Sequence, residues 1–493
     1  MADFAHDKRQ DESNMNVLLV GPTSYIGMRL TDRLLDGEGV CLRLLVRDAR
    51  RVGDTVRQHS EIVEGDVSDN AVLRQALNNI DVAYFPLRFF ETGTKFSELS
   101  QPFAEKFRDA CISAGVKRIV YLGVAGRKDT DGMLPGSASD IGELLSSCPE
   151  KISSVWLRAG FVIGSGSALF EALRNLIQKC PVLLIPKWME MKIIPIGVAD
   201  ILEYLIQAKD LEVQGNAVVD VGMPPMSFRE MLSVSAEVIG LRRPFIPVPF
   251  KAPRLSAILL GIVTPFSFPV ALFFIRLIDS GGNRYDAQGN DSAQKYFPQI
   301  APRSFKAVIE RALKAVEREQ VISRWTDSLA DISYAYDEYD LSSSVYRDIK
   351  KKSFGDIPPQ RIFRAVKSIG GTRGWFTFDL LWRIRGLLDK LTGGFGTSVG
   401  RRSDSDVRIG DWIDVWKVVD VKENRRLLLE AQMKVFGKAW LEFRIEGNTL
   451  IQTAYHYPRG LMGRLYWYSM LPFHVFIFKD MINAIVIRAE DED

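Results

Sequence analysis

The chain has 493 residues, with 64 lysines and arginines against 61 aspartates and glutamates and a formal charge of +3. That length exceeds what one ordinary hydrophobic core supports, so two domains of unequal size are expected, and the near-balanced charge points to neither nucleic acid nor an acidic substrate as partner. Four cysteines without a C-x-x-C pair (Cys41, Cys111, Cys148, Cys180) suit reduced thiols in the cytoplasm, and the four histidines lack the spacing of metal ligands, so no metal site is expected.

Residues 1–14 are polar without an apolar core and read as a disordered tail rather than a signal peptide or lipidation signal. From Asn16 to about Ile201, short β-branched runs alternate with amphipathic stretches. VLLV (17–20), CLRLLV (41–46), EIVEG (61–65), DVAYF (81–85), RIVYLG (118–123) and SVWLRAG (154–160) are the expected strands. Between them Ile26, Leu30 and Leu34 share a helical face, as do Phe103, Phe107, Ala110 and Cys111. The pattern predicts an α/β fold, a Rossmann-type parallel sheet with helices on both faces.

Beyond Pro195 the texture loosens into a smaller substrate lobe, with a helix capped by Asp200 and another in FREMLSVSAEVIG. Leu255 to Ile275 carries no charge until Arg276 and is long enough to cross a bilayer, but Pro265 and Pro269 break it. A buried helix pair, peripheral membrane contact through 255–275 and a true span are the readings it allows. The Rossmann domain with its lobe is expected over 15–325, and an acidic, tyrosine-rich linker over 326–360. A C-terminal α+β domain follows over 361–493. There a helix and four strand-like runs (WIDVWKVVDV, RRLLLEAQMKV, AWLEFRIEG, TLIQTAYHY) precede a long apolar segment, which predicts an antiparallel sheet gripping a long C-terminal helix. Such a grip offers an apolar cavity of ligand size.

VGPTSYIG (20–27) has the layout of a dinucleotide turn. Gly21 permits the reversal after the strand and Gly27 the close approach of helix to sheet, whereas Ser24 stands where a glycine is usual. The Ser24 hydroxyl either crowds a pyrophosphate or donates to it at the helix N-terminus; a plain strand-to-helix turn is the alternative. At the tip of the second strand Arg47, followed by Arg50 and Arg51, replaces the carboxylate expected for NAD(H) and favours a 2′-phosphate, hence NADP(H) over NAD(H). Arg50 and Arg51 also read as a solvated cluster.

The runs VGPTSYIG, LVRD, EGDVSD, RIVYLGVAG and LRAGFVIGSGSA resemble an atypical short-chain dehydrogenase/reductase of the NAD(P)H-binding, NmrA-like kind, over roughly residues 15–325. The resemblance implies that Gly21, Thr23, Ser24, Tyr25, Ile26 and Gly27 line the pyrophosphate and that Arg47 meets the adenosine phosphate. It places Asp66 and Val67 beside the adenine, and Pro86, Leu87, Leu122 and Gly123 beside the ribose and nicotinamide. GWFTFDLLWRIRGLLDKLTGGFG, GDWIDVWKV and LIQTAYHYPRGLMGRLYWYSMLPFH are similar to a domain of unassigned function that follows this reductase type in bacterial proteins.

Active short-chain reductases use a tyrosine as general acid and a lysine four residues on. Here those positions fall near Pro135 and Ser139, and the window from Val124 to Ser153 contains no tyrosine. Lys128, Asp129, Asp131 and Asp140 are the polar groups there, Asp140 reading as a helix cap or first-turn carboxylate. Tyr346 and Lys350 have the right spacing but lie in the expected linker. In the C-terminal domain Arg401, Arg402, Asp404, Asp411, Glu430, Gln452, His456 and His474 are the polar candidates, the histidines reading first as structural. No catalytic residue is assigned. The leading expectation is an NADP(H)-binding oxidoreductase on a lipophilic substrate such as an isoprenoid, quinone or lipid, without the usual dyad. The alternatives are a non-catalytic NADP(H)-responsive binding or regulatory protein, and a lipid-binding or assembly factor.

Overall fold

The computed structural model describes residues 14–86, 94–124, 137–249, 252–279, 290–328, 344, 346–376, 386, 389–390, 396, 401–433 and 435–491. The expected tail up to residue 13, Leu87, Lys128, Asp129, Asp131 and Pro135 lie outside the described residues.

Seven strands form a parallel sheet: β1 (Met15–Val20), β2 (Val40–Val46), β3 (Glu61–Glu64), β4 (Val82–Pro86), β5 (Arg118–Val124), β6 (Ser153–Ala159) and β7 (Asn216–Val221). Their order is β7-β6-β5-β4-β1-β2-β3, so the chain changes direction of travel across the sheet between β1 and β4, where open α/β sheets bind ligands at the strand carboxyl ends. Apolar residues at every position, rather than alternate ones, bury both faces. Val17, Leu19, Leu44 and Leu122 enter one core, and Leu18, Leu45, Ile119 and Trp156 the other. β7 was not among the expected strands. It pairs Asp220 with Arg158 of β6, whose guanidinium grips the buried carboxylate through two bonds of 2.6 Å.

The substrate lobe packs helices Ala168–Lys179, Phe228–Ile239 and Phe305–Glu317 around Trp188, Phe228 and Phe274. Within it, α2 (Pro253–Val263) and α3 (Phe268–Asp279) divide the charge-free stretch near its prolines, so 255–275 is a helix pair rather than one rod. The pair is unequally buried: α3 buries Val270, Ala271, Phe274, Ile275 and Ile278, whereas Leu255, Ile258, Leu259 and Ile262 of α2 face outward. Asp200 is not the cap of its helix, which begins at Val198 after Gly197 and has no side-chain cap. The buried Asp200 instead accepts the Arg303 backbone N–H at 3.2 Å and pairs with the Arg303 guanidinium.

The C-terminal sheet has six antiparallel strands: β8 (Tyr346–Ser353), β9 (Trp412–Ile413), β10 (Trp416–Lys422), β11 (Arg426–Ala431), β12 (Gly437–Glu446) and β13 (Thr449–Pro458), in the order β8-β13-β12-β11-β10-β9. The expected linker therefore includes an edge strand, paired from Tyr346↔His456 to Ser353↔Thr449. Its charges, Lys350 to Lys352, are what an exposed edge uses against further pairing, and they masked the strand in the sequence. The expected run WIDVWKVVDV divides at Asp414, whose φ of +56° makes a turn between β9 and β10. A helix of 32 residues, Gly460–Asp491, closes the domain. Its carboxyl half buries Met481, Ile482, Ile485, Val486 and Ala489 against Leu427, Leu429, Leu441 and Phe443 of the sheet and Ile362, Phe363 and Val366 of helix Pro359–Lys367.

This grip predicts that Ile485→Ala, emptying a fully buried position, costs the C-terminal domain about 2–5 kcal/mol in urea unfolding.

Candidate functional site

The helix α1 (Tyr25–Leu35) begins at the carboxyl end of β1. Gly21 turns at φ +68°, with open space where a Cβ would stand, and a Cβ on Gly27 would lie 2.2 Å from the Gly21 carbonyl oxygen. Both glycines hold the roles their spacing predicts. Ser24 is the N-cap: its Oγ accepts the Gly27 N–H at 3.0 Å. The half-buried Thr23 stands beside it. Tyr25 and Ile26 turn their side chains inward, the Tyr25 hydroxyl donating to the Ser165 carbonyl at 3.3 Å, and burial raises its pKa.

The chain itself reaches this turn from far downstream. The Tyr25 backbone N–H, a first-turn donor of the kind that receives a pyrophosphate, donates to Ser328 Oγ at 3.1 Å. Ser323 donates its hydroxyl to the Tyr25 carbonyl at 2.8 Å and accepts from Arg29 Nε at 2.9 Å, while the Trp325 N–H donates to the Gly166 carbonyl at 2.8 Å. Trp325 is buried, edge-on to Phe266 at 5.2 Å between ring centroids. The segment Ser323–Ser328 is thus wedged between α1 and the loop after strand Phe161–Ile163. No sequence motif announced it, because its parts are ordinary serines and a tryptophan next to the expected linker.

Buried charge continues from this wedge into the C-terminal domain. Asp327 faces Arg408 at 3.6 Å, and Arg408 also bonds Asp411 at 3.2 Å, which Arg402 meets at 3.0 Å. Burial raises the Asp327 carboxyl pKa, with Arg408 opposing, and burial lowers that of the Arg324 guanidinium. Arg408 donates to the Ile322 carbonyl at 2.8 Å, and Lys390 Nζ donates to the carbonyls of Gly261, Ile262 and Thr264 at the end of α2. The two domains therefore join beside the dinucleotide turn.

At the tip of β2, Arg47 is half-buried, and Arg50 is clamped to Asp48 through bonds of 3.0 and 2.9 Å. Arg50 is thus an exposed charge, as in the solvated-cluster reading, but one already paired with Asp48. Arg51 reaches the Asp327 carbonyl at 3.5 Å. Asp48 lines a cavity of about 230 Å³ whose other walls, among them Lys417, Glu430, Gln432 and Lys438, come from the C-terminal domain. Asp48 and this sheet were not foreseen as neighbours.

The other expected cofactor residues divide. Asp66 is exposed in a turn, accepting the Ser68 N–H at 2.8 Å, and Val67 packs on the sheet core. β4 ends at Pro86. The Leu122 side chain is wholly in the core, so only its backbone is left for a ligand, and Gly123 leaves room for the Trp156 indole, 2.6 Å from its missing Cβ. Tyr346 and Lys350 are no helical pair: both lie on β8, Tyr346 stacking on Trp467 at 5.4 Å and Lys350 bound to Asp348 at 2.6 Å. His456 is buried beside both rings, Nε2 near the Gly463 carbonyl at 3.1 Å, and burial lowers its pKa. His474 stacks on Phe478 at 4.5 Å. Arg401 is buried and donates to the Ser403 and Ile369 carbonyls, the Asp404 N–H donates to Glu319, and Gln452 is buried on β13. None of these meets the Rossmann turn. Among the described residues no group of three or more His, Cys, Asp or Glu side chains stands together as a metal site.

Residues 21–147 match the family described as NAD(P)H-binding, and residues 341–481 match the family described as protein of unknown function (DUF2867). The chain joins an NAD(P)H-binding domain to a DUF2867 domain. Similar solved structures include the triphenylmethane reductase of a Citrobacter species, at 18% identity over 61% of this chain and 100% of that one with a TM-score of 0.50. A nucleoside-diphosphate-sugar epimerase from Staphylococcus aureus follows at 16% identity, 60% and 100% coverage and TM-score 0.48. UDP-glucuronic acid 4-epimerase from Bacillus cereus, solved with UDP-glucuronic acid and NAD, gives 15%, 62%, 99% and 0.46. No curated protein matches. The NAD(P)H-binding part shares its fold with the triphenylmethane reductase.

The buried Asp327 gives a pH signature. A carboxyl whose folded pKa is raised holds more protons folded than unfolded, so it favours folding in acid and loses that stability as pH rises from about 4 through the raised value. Wild type should match Asp327→Asn near pH 4 and fall below it by pH 7 in thermal unfolding midpoint; parallel curves would show that the carboxyl does not titrate this way.

Proposed function

We propose that the protein is an NADP(H)-dependent oxidoreductase of short-chain reductase ancestry acting on a lipophilic substrate. The observation that carries this reading is the Gly21–Gly27 turn at the β1–β4 switch point, within the segment that matches an NAD(P)H-binding family. In this reading the α1 N-terminus and the backbone around Gly21, Thr23, Ser24, Tyr25, Ile26 and Gly27 hold the pyrophosphate. Arg47 takes the 2′-phosphate, Asp66 and Val67 border the adenine, and the ends of β4 and β5 receive the ribose and nicotinamide. Leu87 belongs to that set by sequence alone. When bound, the nicotinamide supplies or accepts the hydride.

The chain's own residues set two conditions. Ser328 must release the Tyr25 N–H, since one amide proton does not serve a hydroxyl and a pyrophosphate equally well. The proton for the reduced substrate comes from a donor other than the usual tyrosine, or from solvent. The lipophilic substrate is supported by the substrate lobe's aromatic core and by the apolar outer face of α2. The NADP(H) preference rests on Arg47 as the first residue past β2, the neighbouring Asp48 carboxylate being engaged by Arg50.

The wedge also favours a second reading, a non-catalytic NADP(H)-responsive protein. A cofactor that displaces Ser323–Ser328 pulls on Asp327, Arg408 and the C-terminal domain, which makes occupancy a signal.

Tritium transfer separates the two. With NADPH labelled at nicotinamide C4 and a lipid extract, the oxidoreductase moves label to an extractable acceptor, and Arg47→Ala lowers NADPH affinity about tenfold while sparing NADH. Tight NADPH binding without label transfer would favour the responsive protein, and no binding of either cofactor would end both readings.

A further inference from the structure

The carboxyl half of helix Gly460–Asp491 is core, but its amino half is not. Only 28% of its most apolar 18-residue window is buried. Leu461, Leu465, Tyr468, Val475 and Phe476 recur at helical spacing as one outward stripe, with Leu461 70% and Phe476 66% exposed. The stripe is held outward, because the opposite side is anchored by Trp467, stacked on Tyr346 and His456, and by Phe478 in the core. A helix apolar on nearly every side requires an apolar environment on the side its own fold leaves bare.

Charge identifies the environment. From Gly447 to Lys479 the chain has no acidic residue, while Arg459, Arg464 and Lys479, all exposed, frame the stripe. Two copies of this face would set like charges against each other; an anionic lipid surface matches them, and the exposed Tyr468 suits the headgroup boundary. Length decides between lying and crossing. The bare segment 461–476 is about 24 Å long, short of the roughly 20 residues a span needs. Beyond it, Phe478, Met481, Ile482, Ile485, Val486 and Ala489 are packed into the domain core, so this part of the helix is not available to lengthen the bare segment.

We propose that the amino half of this helix docks the protein on an anionic bilayer surface, lying in the interface with Leu461, Leu465, Tyr468, Val475 and Phe476 inserted and Arg459, Arg464 and Lys479 against lipid phosphates. The surface lies in the DUF2867 domain and is independent of the cofactor reading. It differs from the α2 face that the sequence suggested as a membrane contact, whose outward Leu255, Ile258, Leu259 and Ile262 lie in the substrate lobe.

The test is flotation of the full-length protein with vesicles of phosphatidylcholine alone or with phosphatidylglycerol. Binding is expected with the anionic vesicles and about tenfold weaker with neutral ones. Leu465→Asp with Phe476→Asp should abolish it, and Arg459→Glu with Arg464→Glu, which spares the stripe, should weaken it about tenfold or more. Unchanged thermal midpoints show that these exposed substitutions leave the fold intact. Absence of flotation with anionic vesicles, binding that persists in the aspartate variant, or a concentration-dependent dimer in sedimentation that the same variant dissolves would overturn the proposal.

Discussion

One hydrogen bond, from the Tyr25 backbone N–H to Ser328 Oγ, stands where the two halves of this protein meet. A helix N-terminus concentrates partial positive charge on a few unpaired N–H groups, and in a Rossmann turn that is the seat of a pyrophosphate. Here the first of those groups is satisfied from 303 residues downstream. The glycines that shape the turn are in place, so the backbone suits a dinucleotide. What the chain adds is a competitor for one donor, tied to the start of a second domain.

That competitor is embedded in costly chemistry. Asp327 and Asp411 bring buried charge into the seam, partnered by the half-buried Arg408, and buried charges hold together only while each keeps its partners. A ligand that shifts Ser328 acts on this network directly, because Ser328 and Asp327 are neighbours in one buried turn. In the proposed readings, cofactor binding and the seam to the DUF2867 domain therefore share one element, the Asp327–Ser328 turn. The end of β2 adds a second junction, since Asp48 shares a cavity with Lys417 and Lys438 of the C-terminal sheet.

Much of this was legible in the sequence for physical reasons. Continuous apolar runs such as VLLV and CLRLLV mark strands buried on both faces, and Gly21 and Gly27 mark a turn that other residues do not make. The prolines at 265 and 269 divided an apolar stretch as expected. Features that depend on distant partners were not legible. β8 carries lysines because it is an edge, which hides its strand character; the pairing of the exposed Arg50 with Asp48 depends on a local fold that the charge pattern does not specify. Leu122 belongs to the core because both faces of the sheet are covered, so either direction of its side chain leads into packing. The wedge of Ser323–Ser328 has no signature at all, since a serine is specified as a cap only by what it meets.

Hydrogen exchange of the full-length protein with and without NADPH tests the central claim most directly. Competition for the Tyr25 N–H predicts that NADPH protects residues 21–27 and deprotects residues 323–328 in the same titration. Saturating NADPH that protects the turn while leaving 323–328 unchanged, or that changes neither, would contradict it.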